Sequence, residues 1–193
     1  MGVVLASASP RRREILEMLG VRDFAVIPAE VDEAIPDLMP EEAVIHIAQL
    51  KARKVAEVCS SDDLIIAADT LVYLDGVALG KPESVADAEN MLRRLSGAKH
   101  TVYTGVTIIQ NGNEMTFAEK TEVFFRQISQ EEIEAYIRTG EPMDKAGAYG
   151  AQGRGAVFIS RIEGDFFNVM GLPVCQLVTT LRRFGAELPV SPA

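Results

Sequence analysis

Apolar positions along this chain alternate between long buried-looking runs and helical spacing. Residues 3–6 read Val-Val-Leu-Ala, an unbroken run that predicts a strand. A helix follows over residues 10–19, with Ile15, Leu16 and Leu19 on one side. Ser9 suits its N-cap, Pro10 its first turn and Gly20 its stop. Residues 24–27 predict a short strand, 29–33 an acidic loop, and 40–58 a second helix. The run 64–68 is a continuous apolar strand ending at Asp69. Residues 71–74 and 77–79 flank Asp75-Gly76, which predicts a hairpin. Ser84 and Asp87 open a helix whose inward face is Ala88, Met91, Leu92 and Leu95, and Gly97 ends it. Residues 101–109 and 115–127 predict two strands joined at Asn111-Gly112. Ser129 with Glu132 caps a helix to about residue 138. A stretch rich in glycine and charge, 140–155, leads to a strand at 156–162 and an amphipathic helix at 173–184.

Strands and helices are intermixed, with hairpins as well as crossovers. The pattern predicts an α/β fold: a mixed central sheet with flanking helices. One domain is expected over residues 1–188, with a disordered tail at 189–193. Apolar residues make up 48% of the chain, enough for a full core. There is no uninterrupted apolar run of about 18 residues, so no membrane span is expected. The first residues enter a strand directly, so no secretory leader is expected. Two isolated cysteines, Cys59 and Cys175, point to a reducing cytoplasm. The only histidines, His46 and His100, exclude a histidine-rich metal site. A formal net charge of −9 argues against gripping a nucleic-acid backbone but allows a small anion where cations converge.

Several places offer that convergence. Ser7-Ala8-Ser9-Pro10 with Arg11, Arg12 and Arg13 opens a helix. A helix N-terminus attracts phosphate, and arginines there oppose the macrodipole unless an anion is bound. Lys51 stands in the middle of the apolar stripe formed by Val44, Ile47, Ala48 and Val55. A lysine there must be paired, or must reach a cavity holding an anion. If it is unpaired, replacement by Met removes a desolvation cost and stabilises the protein. Asp69 delivers a carboxylate to a strand end, where α/β folds place ligands. Lys81 is presented between Gly80 and Pro82. The 140–155 stretch carries Asp144, Lys145 and Gln152 among glycines that permit close approach. The acidic loop with Glu30 and Glu33 supplies carboxylates of the kind that ligate Mg²⁺ or Mn²⁺. Lys51 and Asp69 favour a functional role on position alone, whereas the arginine run, Lys81, the acidic loop and the 140–155 stretch, each taken alone, are also compatible with a solvated surface.

Together the motifs resemble the Maf proteins. The resemblance is carried by Ala6-Ser7-Ala8-Ser9-Pro10-Arg11-Arg12, Lys51-Ala52, Ala68-Asp69-Thr70, Leu79-Gly80-Lys81-Pro82, Asp144-Lys145-Ala146-Gly147-Ala148-Tyr149, Gln152-Gly153 and Met170-Gly171-Leu172-Pro173, in the expected order. It implies a fold similar to the inosine triphosphate pyrophosphatases, with two lobes and a cleft. It implies hydrolysis of a nucleoside triphosphate to monophosphate and pyrophosphate with a divalent metal, Mg²⁺ or Mn²⁺. The position matching Asp69 is the implied proton acceptor. Arg12, Thr70 and Gln152 match positions linked to substrate choice; Ser7, Glu33, Lys51 and Lys81 match positions linked to phosphate or metal, with Asp69 and Glu33 as the metal ligands. Arg11, Asp144 and Lys145 join them as expected substrate contacts. The Thr70 and Gln152 pattern resembles the branch acting on dTTP and UTP. A homodimer is also implied. The family likeness leaves a rival of another class: a nucleotide-binding regulator of septum formation and cell division, which would not need Asp69, Glu33 and a metal together.

Overall fold

The first strand, β1 (Val3–Ala6), is buried along its whole length, as an all-apolar run in a parallel sheet should be. The structure, a computed structural model, describes residues 2–32 and 34–188. Met1, Glu33 and the expected tail at 189–193 lie outside the described residues. Helix α1 (Pro10–Met18) follows, then β2 (Phe24–Val26), α2 (Pro40–Ala56) and β3 (Leu64–Leu74). Next come β4 (Val77–Leu79), α3 (Val85–Leu95), β5 (Lys99–Gln110), β6 (Asn113–Phe125) and α4 (Gln130–Ile137). Three short 3-10 turns, Glu141–Asp144, Ala146–Ala148 and Arg154–Phe158, precede β7 (Ile159–Glu163), α5 (Phe166–Met170) and α6 (Val174–Phe184).

Strand order in the seven-stranded sheet is β2-β1-β3-β5-β6-β7, with β4 paired to β3 off that path. β1 runs parallel to both β2 and β3, while β3–β4 and β6–β7 are antiparallel, so the sheet is mixed. Both predicted hairpin turns form with positive φ at both central residues: Asp75 (51°) and Gly76 (79°), Asn111 (52°) and Gly112 (75°). That backbone matches the right-handed strand twist and suits these residue pairs. Ser84 caps α3 by accepting from the Asp87 N–H, and Ser129 with Glu132 closes a reciprocal capping box on α4.

The chain divides into two compact units. The first comprises Met1–Asp69, Thr104–Glu119 and Gly171–Ala193; the second Thr70–Tyr103 and Lys120–Met170. β3, β5 and β6 each contribute residues to both. In the first unit, Ala52 and Val55 of α2 pack on Val4, Ala6, Ile65 and Ala67 of the two central parallel strands. The small residues bring the helix close. The same helix meets β5 at Gly105, where an added Cβ would overlap the carbonyl of Val44 and stand 2.7 Å from the Ile45 nitrogen. In the second unit the core gathers Leu92 and Leu95 of α3, Ile133 and Tyr136 of α4, and Phe125 and Phe158.

Three departures from the sequence expectation have physical reasons. β3 does not stop at Asp69 but continues through it to Leu74, because the carboxylate finds a partner inside the fold. Residues 154–158 form a 3-10 turn rather than the start of a strand, tied down where the Arg126 N–H donates to the Phe158 carbonyl and its Nε donates to that of Val157 (both 2.9 Å). Helix α5, with only five residues, is too short to leave a periodic signature.

His100, 1% exposed, sits edge-on to Phe125 and Tyr149, and one of its ring nitrogens shares a 2.8 Å hydrogen bond with the Tyr149 hydroxyl. Burial lowers its pKa from 6.5 to about 4, so the folded protein holds it neutral. The unfolded chain therefore binds the extra proton between those values, and stability present above pH 6.5 is lost as pH falls toward 4. The full effect is roughly 3 kcal/mol at 1.36 kcal/mol per unit. Urea unfolding at pH 7 and pH 5 should show His100→Gln losing less stability than wild type over that interval. Equal losses would mean that His100 is not the titrating group.

Candidate active site

Parallel pairing of β1 with β3 sets the geometry. Ala6 is in register with Ala67, so Ser7 follows the last residue of β1 and Asp69, two residues past Ala67 within β3, stands near the level of the carboxyl-end edge of β1. Such strands run about 4.8 Å apart, and ligands in α/β folds bind at this edge.

Ser7 and Arg12 interlock there. Arg12 Nη1 donates to Ser7 Oγ at 3.0 Å, and Arg12 Nε donates to the Gly171 carbonyl at 2.8 Å. Both residues are buried. Ser7 Oγ also accepts from the Ser9 N–H at 3.2 Å. Ser9 occupies the N-cap position of α1, but its own side chain makes no capping hydrogen bond. The three consecutive arginines thus separate by environment. Arg12 is fixed inside the fold, Arg11 is half-buried, and Arg13 lies exposed in an i,i+4 pair with Glu17 at 2.8 Å.

α2 brings Lys51 to the same edge, one residue before Ala52 in the tight helix–strand contact. Its Nζ lies 2.7 Å from Asp69 Oδ1, with both side chains about nine-tenths buried. Lys51 is therefore the paired lysine, and stabilisation by Met replacement is overturned: removing it strands a buried carboxylate. The other oxygen, Asp69 Oδ2, is buried without a hydrogen-bond partner among the described residues. A carboxylate oxygen in that condition asks for a proton donor or a cation. Glu33, the expected second metal ligand, lies outside the described residues; among the described residues no cluster of three or more metal-ligating side chains forms.

The remaining expected residues belong to the second unit. Thr70 follows Asp69 in β3 and is half-buried. Lys81 is exposed just past β4, and the carbonyl of Gly80 before it accepts from the Gly147 N–H at 3.1 Å. That bond ties the Lys81 segment to the turn following Asp144 and Lys145. Lys145 donates to Asp144 Oδ1 at 2.6 Å and to the Glu141 carbonyl at 2.8 Å, so part of its hydrogen-bonding capacity serves the loop itself. Ala148, fully buried, has φ of 59°, a left-handed conformation costing about 1–2 kcal/mol outside glycine. Gln152 is exposed at the crest of the next turn.

Sequence spacing did not single out Glu141 and Tyr136. The Tyr136 hydroxyl donates to Glu141 Oε1 at 2.9 Å, and the carboxylate accepts the N–H groups of Arg154 (2.9 Å) and Gly155 (3.2 Å). The available signal was the run of glycines at 150, 153 and 155, each of which leaves room for one of these side chains.

Comparison with known proteins places these features in company. A family model described as Maf-like protein matches residues 2–184. A dTTP/UTP pyrophosphatase of Bacillus cereus is 46% identical over 187 residues, covering 96% of this chain and 97% of its own. One from Bacillus anthracis matches to the same extent. Among solved structures, the Staphylococcus aureus Ham1 protein aligns with a TM-score of 0.52 at 15% identity, over 95% of this chain and all of its own, a likeness of fold.

Lys51→Met should lower unfolding stability by about 3–5 kcal/mol, the range for removing one partner of a buried pair. The double variant Lys51→Met/Asp69→Leu should recover much of that loss, because no lone charge remains. Urea denaturation of both variants at pH 7 checks this. A single variant as stable as wild type would show that the pair contributes nothing to the folded state.

Proposed function

The chain belongs to the Maf family, and on that premise we propose that it hydrolyses dTTP and UTP to the monophosphate and pyrophosphate. One observation carries the chemistry. Asp69 is buried within β3, close to the level at which β1 ends, with one oxygen on Lys51 and the other without a hydrogen-bond partner among the described residues. The adjacent strand β1, paired with β3 up to Ala6↔Ala67, runs directly into Ser7, whose hydroxyl accepts from the fixed Arg12 guanidinium at the start of α1. The family, the name shared by relatives at 46% identity, and this juxtaposition support the same reading.

In this reading the triphosphate lies along the start of α1, where Ser7, Arg11 and Arg12 neutralise phosphate charge. Lys51 holds the Asp69 carboxylate by its Oδ1 and adds a cation beside the phosphates. Asp69 accepts the proton of the water that attacks the α-phosphorus, and pyrophosphate leaves. Positioning and charge stabilisation supply most of what phosphoryl-type transfer needs. Thr70, Lys81, Asp144, Lys145 and Gln152 are proposed as further substrate contacts. The unpartnered Asp69 Oδ2 fits a Mg²⁺ or Mn²⁺ ligand, with Glu33 as the second carboxylate implied by the family likeness. When bound, the cation supplies charge neutralisation at the phosphate oxygens and polarises the phosphorus. Gln152 is proposed as the base reader, since an amide pairs at once with an N–H and an adjacent carbonyl of uracil or thymine.

We place the enzyme in the cytoplasm as a homodimer. Free Cys59 and Cys175 support the compartment, and the family likeness supports the dimer. No helix among the described residues is long and apolar enough to cross a membrane.

Two measurements test the reading. Asp69→Asn should abolish magnesium-dependent pyrophosphate release from UTP while the protein stays folded; wild-type rates in that variant would refute the proton-acceptor role and leave room for a nucleotide-binding regulator instead. Wild type should prefer UTP and dTTP over CTP and GTP by about tenfold to a hundredfold in kcat/KM, the value of one amide reading two base atoms. Gln152→Ala should flatten the UTP-to-CTP ratio without ending hydrolysis. Equal cleavage of UTP and CTP by wild type would remove Gln152 as the reader.

A further inference from the structure

The turn that carries Gln152 stands on a polar anchor made of buried Tyr136 and half-buried Glu141. At one foot, the Gly150 N–H donates to the Tyr136 hydroxyl at 3.0 Å. At the other, the N–H groups of Arg154 and Gly155 donate to the two oxygens of Glu141. Tyr136 and Glu141 join the feet through their own 2.9 Å hydrogen bond. The carboxylate fits beneath the crest only because residue 153 has no side chain: a Cβ on Gly153 would stand 2.6 Å from Glu141 Cδ. One on Gly155 would stand 2.7 Å from the Tyr136 hydroxyl. Steric fit and hydrogen bonding therefore specify the same pair of side chains.

The carboxylate is ionised in this setting. Burial by itself raises its pKa, but the N–H groups of Arg154 and Gly155, the Tyr136 hydroxyl and nearby Lys145 outweigh burial and hold it below the usual value. Tyr136 belongs to the core, edge-on to Phe158 with ring centroids 5.1 Å apart, so the anchor is continuous with the packed interior. The Gln152 side chain itself makes no hydrogen bond among the described residues and is exposed. What fixes its place is the backbone beneath it.

We propose that Glu141, braced by Tyr136, is a positioning residue for base selection: it sets the turn from which Gln152 reads the pyrimidine. This builds on the proposed reading of Gln152 as the base contact. A preset turn favours base reading by the amide it carries, since ordering a loose turn on binding subtracts from affinity for the correct base. Glu141 touches neither phosphate nor water in this scheme, so its loss acts on recognition and not on bond cleavage.

Glu141→Gln tests this. The substitution keeps size but places an amide N–H against backbone N–H donors. The expected result is a KM for UTP raised about fivefold or more, within the span of one amide readout, with kcat and the kcat/KM for CTP within about twofold of wild type. A folded Glu141→Gln protein with the wild-type UTP-to-CTP ratio overturns the proposal, and so does an equal loss for both nucleotides, which would mark Glu141 as structural only. If Glu141→Gln does not fold, Tyr136→Phe decides, because it removes only the hydroxyl that joins the two feet: a narrowed ratio supports the anchor and an unchanged one refutes it. Measuring Gln152→Ala in parallel separates the two ideas. A ratio that Gln152→Ala narrows and Glu141→Gln leaves intact defeats the anchor alone; a ratio that Gln152→Ala leaves intact defeats the base reader and the anchor with it.

Discussion

The buried contact between Lys51 and Asp69 is the constraint around which the first unit is organised. An isolated charge at either position would be expelled or would break its element. Paired at 2.7 Å, the two let an eleven-residue strand pass through an aspartate and a helix carry a lysine on its apolar face. The short distance requires the helix to lie close to the sheet. Alanines at 6, 52 and 67 and the bare backbone of Gly105 supply that closeness. The pair leaves one carboxylate oxygen without a hydrogen-bond partner among the described residues. Packing and chemistry at this edge are consequences of one electrostatic arrangement.

Much of the fold was legible because local signals agreed. Asp-Gly and Asn-Gly between alternating runs could hardly read as anything but hairpins, and both adopt the expected positive φ. Ser84 and Ser129 announced helix starts through the residue three positions later. Lys51 was legible as an anomaly, a charge where the stripe demanded an apolar residue. Its partner was not, because seventeen residues intervene and nothing in a linear pattern encodes which buried charges meet. The expectation for a Met replacement rested on an unpaired lysine, and the pair removes that premise.

The stretch from 140 to 155 shows the opposite limit. Composition marked it as functional ground and its glycines as points of close approach, but glycine spacing does not say what approaches. The answer is a tyrosine from the buried face of α4 and a glutamate beside a proline, and no linear pattern joins the two. Lys145, read as a cation for a ligand, also braces its own loop. Sequence patterns report the need for a partner more reliably than its identity.

The division of the chain has a consequence for how such a protein can change over generations. The first unit is assembled from three separated stretches and the second from two, with three strands contributing to both. No single contiguous piece of the gene encodes either one. Recombination that swaps a segment would therefore deliver fragments of each, so neither unit can be inherited as an independent module. Point substitutions and small insertions at exposed turns, by contrast, leave both units whole.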